Sequence, residues 1–216
     1  MKTKINKSKK DAFTLIELLV VISIIAILAA LAIPGVTGAL TKGQLVQALS
    51  NSRQIHLAVQ TAALDKATAG VGIGWPGNGD PNTGAPYADA PTYVKDLITN
   101  GAIAVGDLKI FTTVGYNTAV NAAGITAANI GFHIYMVSEA DEGSTVFLTT
   151  KNLNYSPTTE PALQTGVSFG NKGCVIFRKG GDGSFYNANQ LKQPKTEDAR
   201  KALFGTEVSG TTKYID

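Results

Sequence analysis

From Phe13 to Ile33 the chain runs for 21 residues with three interruptions to an apolar or alanine pattern: Thr14, Glu17 and Ser23. A transmembrane helix needs about 20 consecutive apolar residues, so this stretch is long enough to cross a bilayer. A carboxylate inside such a stretch costs roughly 2.5–3.5 kcal/mol on insertion scales and marks function by default. Glu17 therefore demands a partner.

The flanks narrow the reading. Lys2, Lys4, Lys7, Lys9 and Lys10 precede the run, with Asp11 the one acid among them. The positive-inside rule then places the N-terminus in the cytoplasm. A secretory signal peptide has a shorter apolar region, roughly 7–15 residues, and a small-residue cleavage pattern after it. Here the run is longer and ends in Ile33-Pro34-Gly35. A plain anchor fits the length but leaves Glu17 unexplained. Beyond residue 12 the chain carries 14 basic against 15 acidic side chains, so its formal charge of +3 belongs to the leader. The body shows no basic footprint for nucleic acid.

A lysine-rich leader followed by "AFTLIELLVVISIIAILAALAIPG" resembles the N-terminal signature of type IV pilins and of the pseudopilins of type II secretion. That resemblance implies cleavage by a prepilin peptidase between Ala12 and Phe13, then N-methylation of Phe13. The family usually has glycine before the cut; this chain has alanine, which is also small. Glu17 matches the family's fifth mature residue and Pro34 its twenty-second. It further implies no enzyme activity, no cofactor and a structural role in a filament. Its partners are copies of itself and other pilin-like subunits, an inner-membrane assembly platform and membrane lipid.

The spacing gives Glu17 a physical role. Cleavage would free an amine on Phe13, and residues four apart share a helix face. In a staggered stack, Glu17 of one subunit meets the Phe13 amine of the next. Breaking a buried ion pair typically costs 3–5 kcal/mol, so the pair would set the register. The plain alternative is that Glu17 snorkels to the cytoplasmic interface.

Past the membrane segment Leu45, Ala48, Leu49, Ser52, Ile55, Val59 and Ala62 recur at intervals of three and four. This predicts an amphipathic helix to about Asp65. A helix from Phe13 to Asp65 is about 80 Å long. Pro34, with Gly35, Gly38 and Gly43 after it, predicts a kink or a locally melted join. Residues 70–90 are rich in Gly, Pro, Asn and Asp and read as a long loop. Trp75 and Tyr87 either pin it or offer a contact surface. "APTYVKDLITNGAI" reads as a short helix, and "GDLKIF" as a turn with a brief extended piece; residues 115–129 give no clear pattern. Residues 132–138 and 145–150 read as one hairpin around "EADEG", and 173–179 and 184–187 as a second around a glycine-rich turn. A loop at 151–171 joins them. Residues 196–204 read as a helix capped by Thr196 and ended by Gly205.

The expected fold is therefore α+β, a long N-terminal helix packed on a small antiparallel sheet. The expected divisions are 1–12 leader, 13–34 transmembrane helix, 35–69 amphipathic continuation and 70–216 globular head. The expected placement is single-pass in the inner membrane, with the head periplasmic, or extracellular once assembled.

Other chemistry is sparse. The one cysteine, Cys174, excludes an intrachain disulfide and reads as an inert buried residue. Two histidines and one cysteine are too few for the usual zinc clusters; His56 and His133 read as structural. No hydrolase, zinc-protease, P-loop or dinucleotide fingerprint appears. The family resemblance raises a calcium site, with oxygens from Asp80, Asp141, Glu142 or Asp182. The spacing fits solvated turns better, so no metal is assigned. The lack of a disulfide and the small glycine-rich head resemble pseudopilins, which favours a secretion pseudopilus subunit over a type IV pilus fibre subunit for adhesion, motility or DNA uptake. A membrane-anchored binding module remains the other class, marked by a pocket in the loops at 70–90 and 151–171.

Overall fold

A computed structural model describes residues 13–70, 72–208 and 214–216; the leader, Ala12 included, lies outside the described residues. Helix α1, Leu15–Ala69, carries both the apolar run and the amphipathic stretch, with Pro34 in its interior. It continues four residues beyond the expected Asp65, closing on Gly70, whose N–H donates to the Lys66 carbonyl (2.8 Å). The chain divides into two compact units, one ending at Leu40 and the other Thr41–Asp216. In the first, the side chains from Phe13 to Leu40 are exposed, and the most apolar window of α1 has a mean hydropathy of 3.0 with none of it buried.

The second unit is an α+β head. Its antiparallel sheet comprises β1 (Phe132–Tyr135), β2 (Val146–Thr150), β3 (Cys174–Arg178), β4 (Gly183–Tyr186) and β5 (Tyr214–Ile215). Their order is β4-β3-β2-β1-β5. Both expected hairpins form, β1 with β2 and β3 with β4. Expected strand 132–138 ends at Tyr135, because the Val137 N–H folds back onto the Tyr135 carbonyl (2.7 Å). Strand β5 was not expected; two residues carry too little alternation to read.

The second half of α1 packs on one sheet face. Leu45, Ala48, Ile55 and Val59 are buried there, and His56 sits 5.5 Å from the Phe177 ring. Phe177 pairs with Gly183 and Tyr186 with Cys174, so Phe177 and Tyr186 point to opposite faces. On the Tyr186 side lies α4 (Glu197–Phe204), with Phe204 4.9 Å from Tyr186 in an edge-on contact. Thr196 caps α4 by accepting from the Ala199 N–H.

Helix α2 (Ala90–Thr99) is capped by Asp89, which accepts from the Thr92 N–H. "GDLKIF" is a correction: Val105–Phe111 winds as a 3₁₀ helix. Its apolar residues at 108, 110 and 111 all reach the core, which a short alternating strand would not allow. The loop after α1 is pinned rather than offered. Trp75 and Tyr87 are buried, the Tyr87 hydroxyl donates to Asp96 (3.0 Å) and the Tyr93 hydroxyl to the Gly74 carbonyl (3.0 Å). The loop at 151–171 is held by Arg200, whose guanidinium donates to the carbonyls of Pro157 (2.6 Å) and Thr158 (3.3 Å). A four-residue helix, α3 (Ala188–Leu191), was not expected.

Candidate functional site

The chemistry at the start of α1 begins with Thr14. It precedes the first helical residue, which makes it the N-cap and Glu17 the third helical position. The Glu17 N–H donates to Thr14 Oγ1 (3.3 Å), while the Thr14 N–H donates back to Glu17 Oε2 (2.9 Å). The Thr14 hydroxyl also donates to that carboxylate oxygen (2.7 Å). This is a reciprocal capping box, in which two of the helix's orphan N–H donors are satisfied at once. The negative charge in the first turn also suits the helix dipole. The T-x-x-E spacing was legible in the sequence, but attention to the carboxylate alone left Thr14 out.

The consequence is chemical. The carboxylate in the apolar run is not bare: its own chain supplies neutral donors. None of them is a cation, so the charge itself stays uncompensated within these contacts. Hydroxyls in the run and just beyond it bond to the helix's own carbonyls. Ser23 donates to the Leu19 carbonyl (2.8 Å) and Thr37 to the Pro34 carbonyl (3.0 Å). Such bonds let a hydroxyl sit on an apolar helix surface without an outside partner. Pro34 lacks an N–H, so the Ala30 carbonyl loses its helical partner. A Cβ built on Gly35, Gly38 or Gly43 would meet nothing within 4 Å among the described residues, so their small size serves no packing there.

In the head, the residues considered for metal are used elsewhere. Asp141 accepts from the Ser138 N–H (2.6 Å) and hydroxyl (2.7 Å). Asp182 pairs with Arg178 at 2.6 Å, and Asp80 accepts from the Asn82 N–H. Among the described residues no three His, Cys, Asp or Glu side chains are grouped to hold a metal. The 138–143 turn instead surrounds the Lys179 ammonium, which donates to the carbonyls of Glu139 (2.8 Å) and Asp141 (2.6 Å) and lies over the Trp75 ring.

His56 is buried and bonds the Lys179 carbonyl through Nε2 (2.6 Å), tying α1 to the β3–β4 turn. Gly181 in that turn has φ of 90° and lies against the His56 ring, where a side chain would be strained and crowded. His133 pairs with Asp216 at 2.5 Å, and Lys151 stands 3.8 Å from the same oxygen. Burial pushes the Asp216 carboxyl up, but the His133 bond and charge, with Lys151, more than offset it and hold it below the usual range. Cys174 is fully buried, which pushes its thiol well up and suppresses the reactive thiolate.

A groove of about 450 Å³ runs along one flank of α1, between Gln44–Gln54 and Lys109–Val114. It lies outside the two loops expected to mark a binding module. A smaller recess of about 260 Å³ sits where Val114–Tyr116 meets Gly166–Phe169.

Comparisons with known proteins bear on both units. Residues 7–33 match the family described as the prokaryotic N-terminal methylation motif. Over 158 residues, covering 70% of this chain and 96% of the relative, the sequence is 33% identical to the type IV major fimbrial protein FimA of Dichelobacter nodosus. No solved structure matches the chain significantly.

Proposed function

The chain belongs to the type IV pilin-like family, and on that premise we propose that it is a fibre subunit of a type IV pilus. The family is one of structural subunits that are processed as prepilins and assemble into filaments. The observation that carries the finer reading is the reach of the likeness. At 158 residues it extends far past the shared N-terminal motif and through most of a major fimbrial protein. A secretion pseudopilus is the second reading, favoured by the lone buried Cys174, which leaves the head without a disulfide.

In this proposal the leader is cut between Ala12 and Phe13, and the Phe13 amine is then methylated. Residues 13–34 hold the subunit in the inner membrane as a single pass, with the head on the periplasmic side until assembly. The assembly platform lifts each subunit out of the bilayer. The exposed apolar surface of α1 then exchanges lipid for neighbouring helices, and the open glycine faces let backbones approach closely.

Glu17 works in two states. Before assembly its carboxylate rests on the Thr14 donors. On docking it turns to the Phe13 amine of the adjacent subunit, a full positive charge in a low-dielectric setting. Charge-assisted bonds are roughly twice as strong as neutral ones, so the exchange favours the docked register. Pro34, with Ala30 short of one bond, is the position where the helix yields when copies pack.

Two experiments test this. Mass spectrometry of the membrane-extracted protein should find Phe13 at the N-terminus with one added methyl; an intact Met1 end overturns the processing. Deleting the gene should remove surface fibres while leaving exported hydrolases outside the cell. Retention of those hydrolases in the periplasm, with surface fibres unchanged, moves the assignment to the pseudopilus.

A further inference from the structure

Two surfaces flank the second half of α1, and they differ in kind. On one side lies β4, one of the two edge strands of the sheet. The Arg178 N–H donates to the Asp182 carbonyl (2.8 Å), and the pairs Ile176↔Ser184 and Cys174↔Tyr186 follow in the same phase. Antiparallel ladders alternate, so Ser184 and Tyr186 aim their backbone groups at β3. Gly183 and Phe185 aim theirs away from the sheet. Edge strands are commonly blunted by lysine or proline; β4 carries neither. Phe185 stands 39% exposed on it.

On the other side is the amide groove. Asn51 is buried and donates to the Thr112 carbonyl (3.3 Å), while Gln47 donates to Asn51 (2.9 Å). The groove's wall also includes Ala48, Ile110 and Val114. It is thus a slot with an apolar component and a rim of amides that can both donate and accept.

The two surfaces lie along the same stretch of helix. A Cβ on Gly173 would touch Leu45 and the Tyr186 carbonyl, and Gly181 lies against His56. So β4 runs beside residues 45–56, and the groove spans residues 44–54. They are on opposite flanks. The groove's far wall leads to Phe111, whose carbonyl accepts from the Gly131 N–H just before β1, on the opposite side of the sheet from β4.

We propose that β4 of one copy docks in the groove of the next, with Phe185 against Ala48, Ile110 and Val114. The outward backbone groups of Gly183 and Phe185 then meet the glutamine rim. The occupant is a second copy of this chain for three reasons. The surfaces stand along the same stretch of helix, and their chemistry is complementary. The exposed side chains Val46, Leu57 and Leu64 lie on the face of α1 between them, which joins this contact to the helix packing of the fibre. A contact between two different surfaces does not close on itself and propagates. This rests on the fibre-subunit reading.

The test is disulfide trapping in sheared fibres of the full-length chain carrying Phe185→Cys together with Gln47→Cys. Oxidation should give a ladder of multimers on a non-reducing gel that needs both cysteines, with the buried Cys174 taking no part. A disulfide-linked dimer from Phe185→Cys alone would mean edge-to-edge pairing and overturn the proposal. So would fibres that form without any ladder. Should the cysteines block assembly, benzoyl-phenylalanine at 185 keeps an aromatic ring there. Its photo-crosslinks should map to residues 44–54 or 109–114 of a neighbour, and crosslinks elsewhere overturn the contact. Absence of fibres from the unaltered chain would instead sink the fibre reading itself.

Discussion

At the scale of single residues, the Thr14–Glu17 capping box separates two effects that one substitution would confound. Glu17→Ala removes both the cap and the partner for a neighbour's amine, whereas Thr14→Val removes only cap contacts. Losing an N-cap side chain costs about 1 kcal/mol, and losing one member of a buried ion pair 3–5 kcal/mol. Sedimentable fibre should therefore fall sharply for Glu17→Ala and only modestly for Thr14→Val, with both proteins still in the membrane fraction. Equal losses would mean that the carboxylate serves as a cap and nothing more. Glu17 was legible because a charge in an apolar run is conspicuous in one dimension. The His133–Asp216 pair was not, since its members lie 83 residues apart and only the sheet brings them together. That pair also makes a prediction for acid. Because the Asp216 carboxyl is held below its ordinary value, its contribution is complete above the unfolded carboxyl range near 3.9. It is lost as pH falls through the lower folded value. Asp216→Asn should consequently destabilise the head at pH 6, with the gap to the parent shrinking as pH falls below the unfolded carboxyl range in urea melts. A constant gap between the two would remove the role assigned to the pair.

At the scale of elements, the hairpins and α4 were readable because their turn and cap residues are local. The 3₁₀ segment Val105–Phe111 was misread, since "LKIF" alternates over too few residues for either period to win. The turn at 138–143 is acidic in sequence, yet its backbone oxygens serve a side chain of the same chain. Its carbonyls converge on a cation, but the cation is the ammonium of Lys179, delivered from the end of β3. Lys179→Met should lower head stability by about 2 kcal/mol, the scale of hydrogen bonds to a charged group. A chelator should leave the melting temperature of the parent unchanged. A chelator-dependent melt would restore calcium to the turn. Ile55, fully buried between α1 and the sheet, sets the scale for the helix itself. Ile55→Ala should cost about 2–5 kcal/mol, measured as a shift in the urea midpoint.

At the scale of the whole molecule, the sequence announces the family within 24 residues but leaves its branch open, because the membrane segment is shared by pili and pseudopili. Any difference between them lies in the head, where similarity to a major fimbrial protein pulls against the missing disulfide. What the sequence did resolve was the contrast between the two ends of α1. Between Phe13 and Leu40 the apolar side chains are exposed, whereas from Leu45 onward one face is buried against the sheet. A fully apolar surface needs lipid or copies of itself, but a half-buried helix needs only its own sheet. The exposed apolar residues on the second half of α1 are Val46, Leu57 and Leu64; set singly among polar side chains, they add to packing begun by the apolar first half but are too few to bring copies together without it. Removing residues 1–34 should thus yield a soluble monomer with cooperative unfolding, and the Phe185–groove contact alone should be too weak to hold copies together without the helix core. Sedimentation of that fragment at high micromolar concentration checks both parts. A stable dimer would show that the head drives association by itself, and an insoluble product would show that the second half of α1 depends on the first.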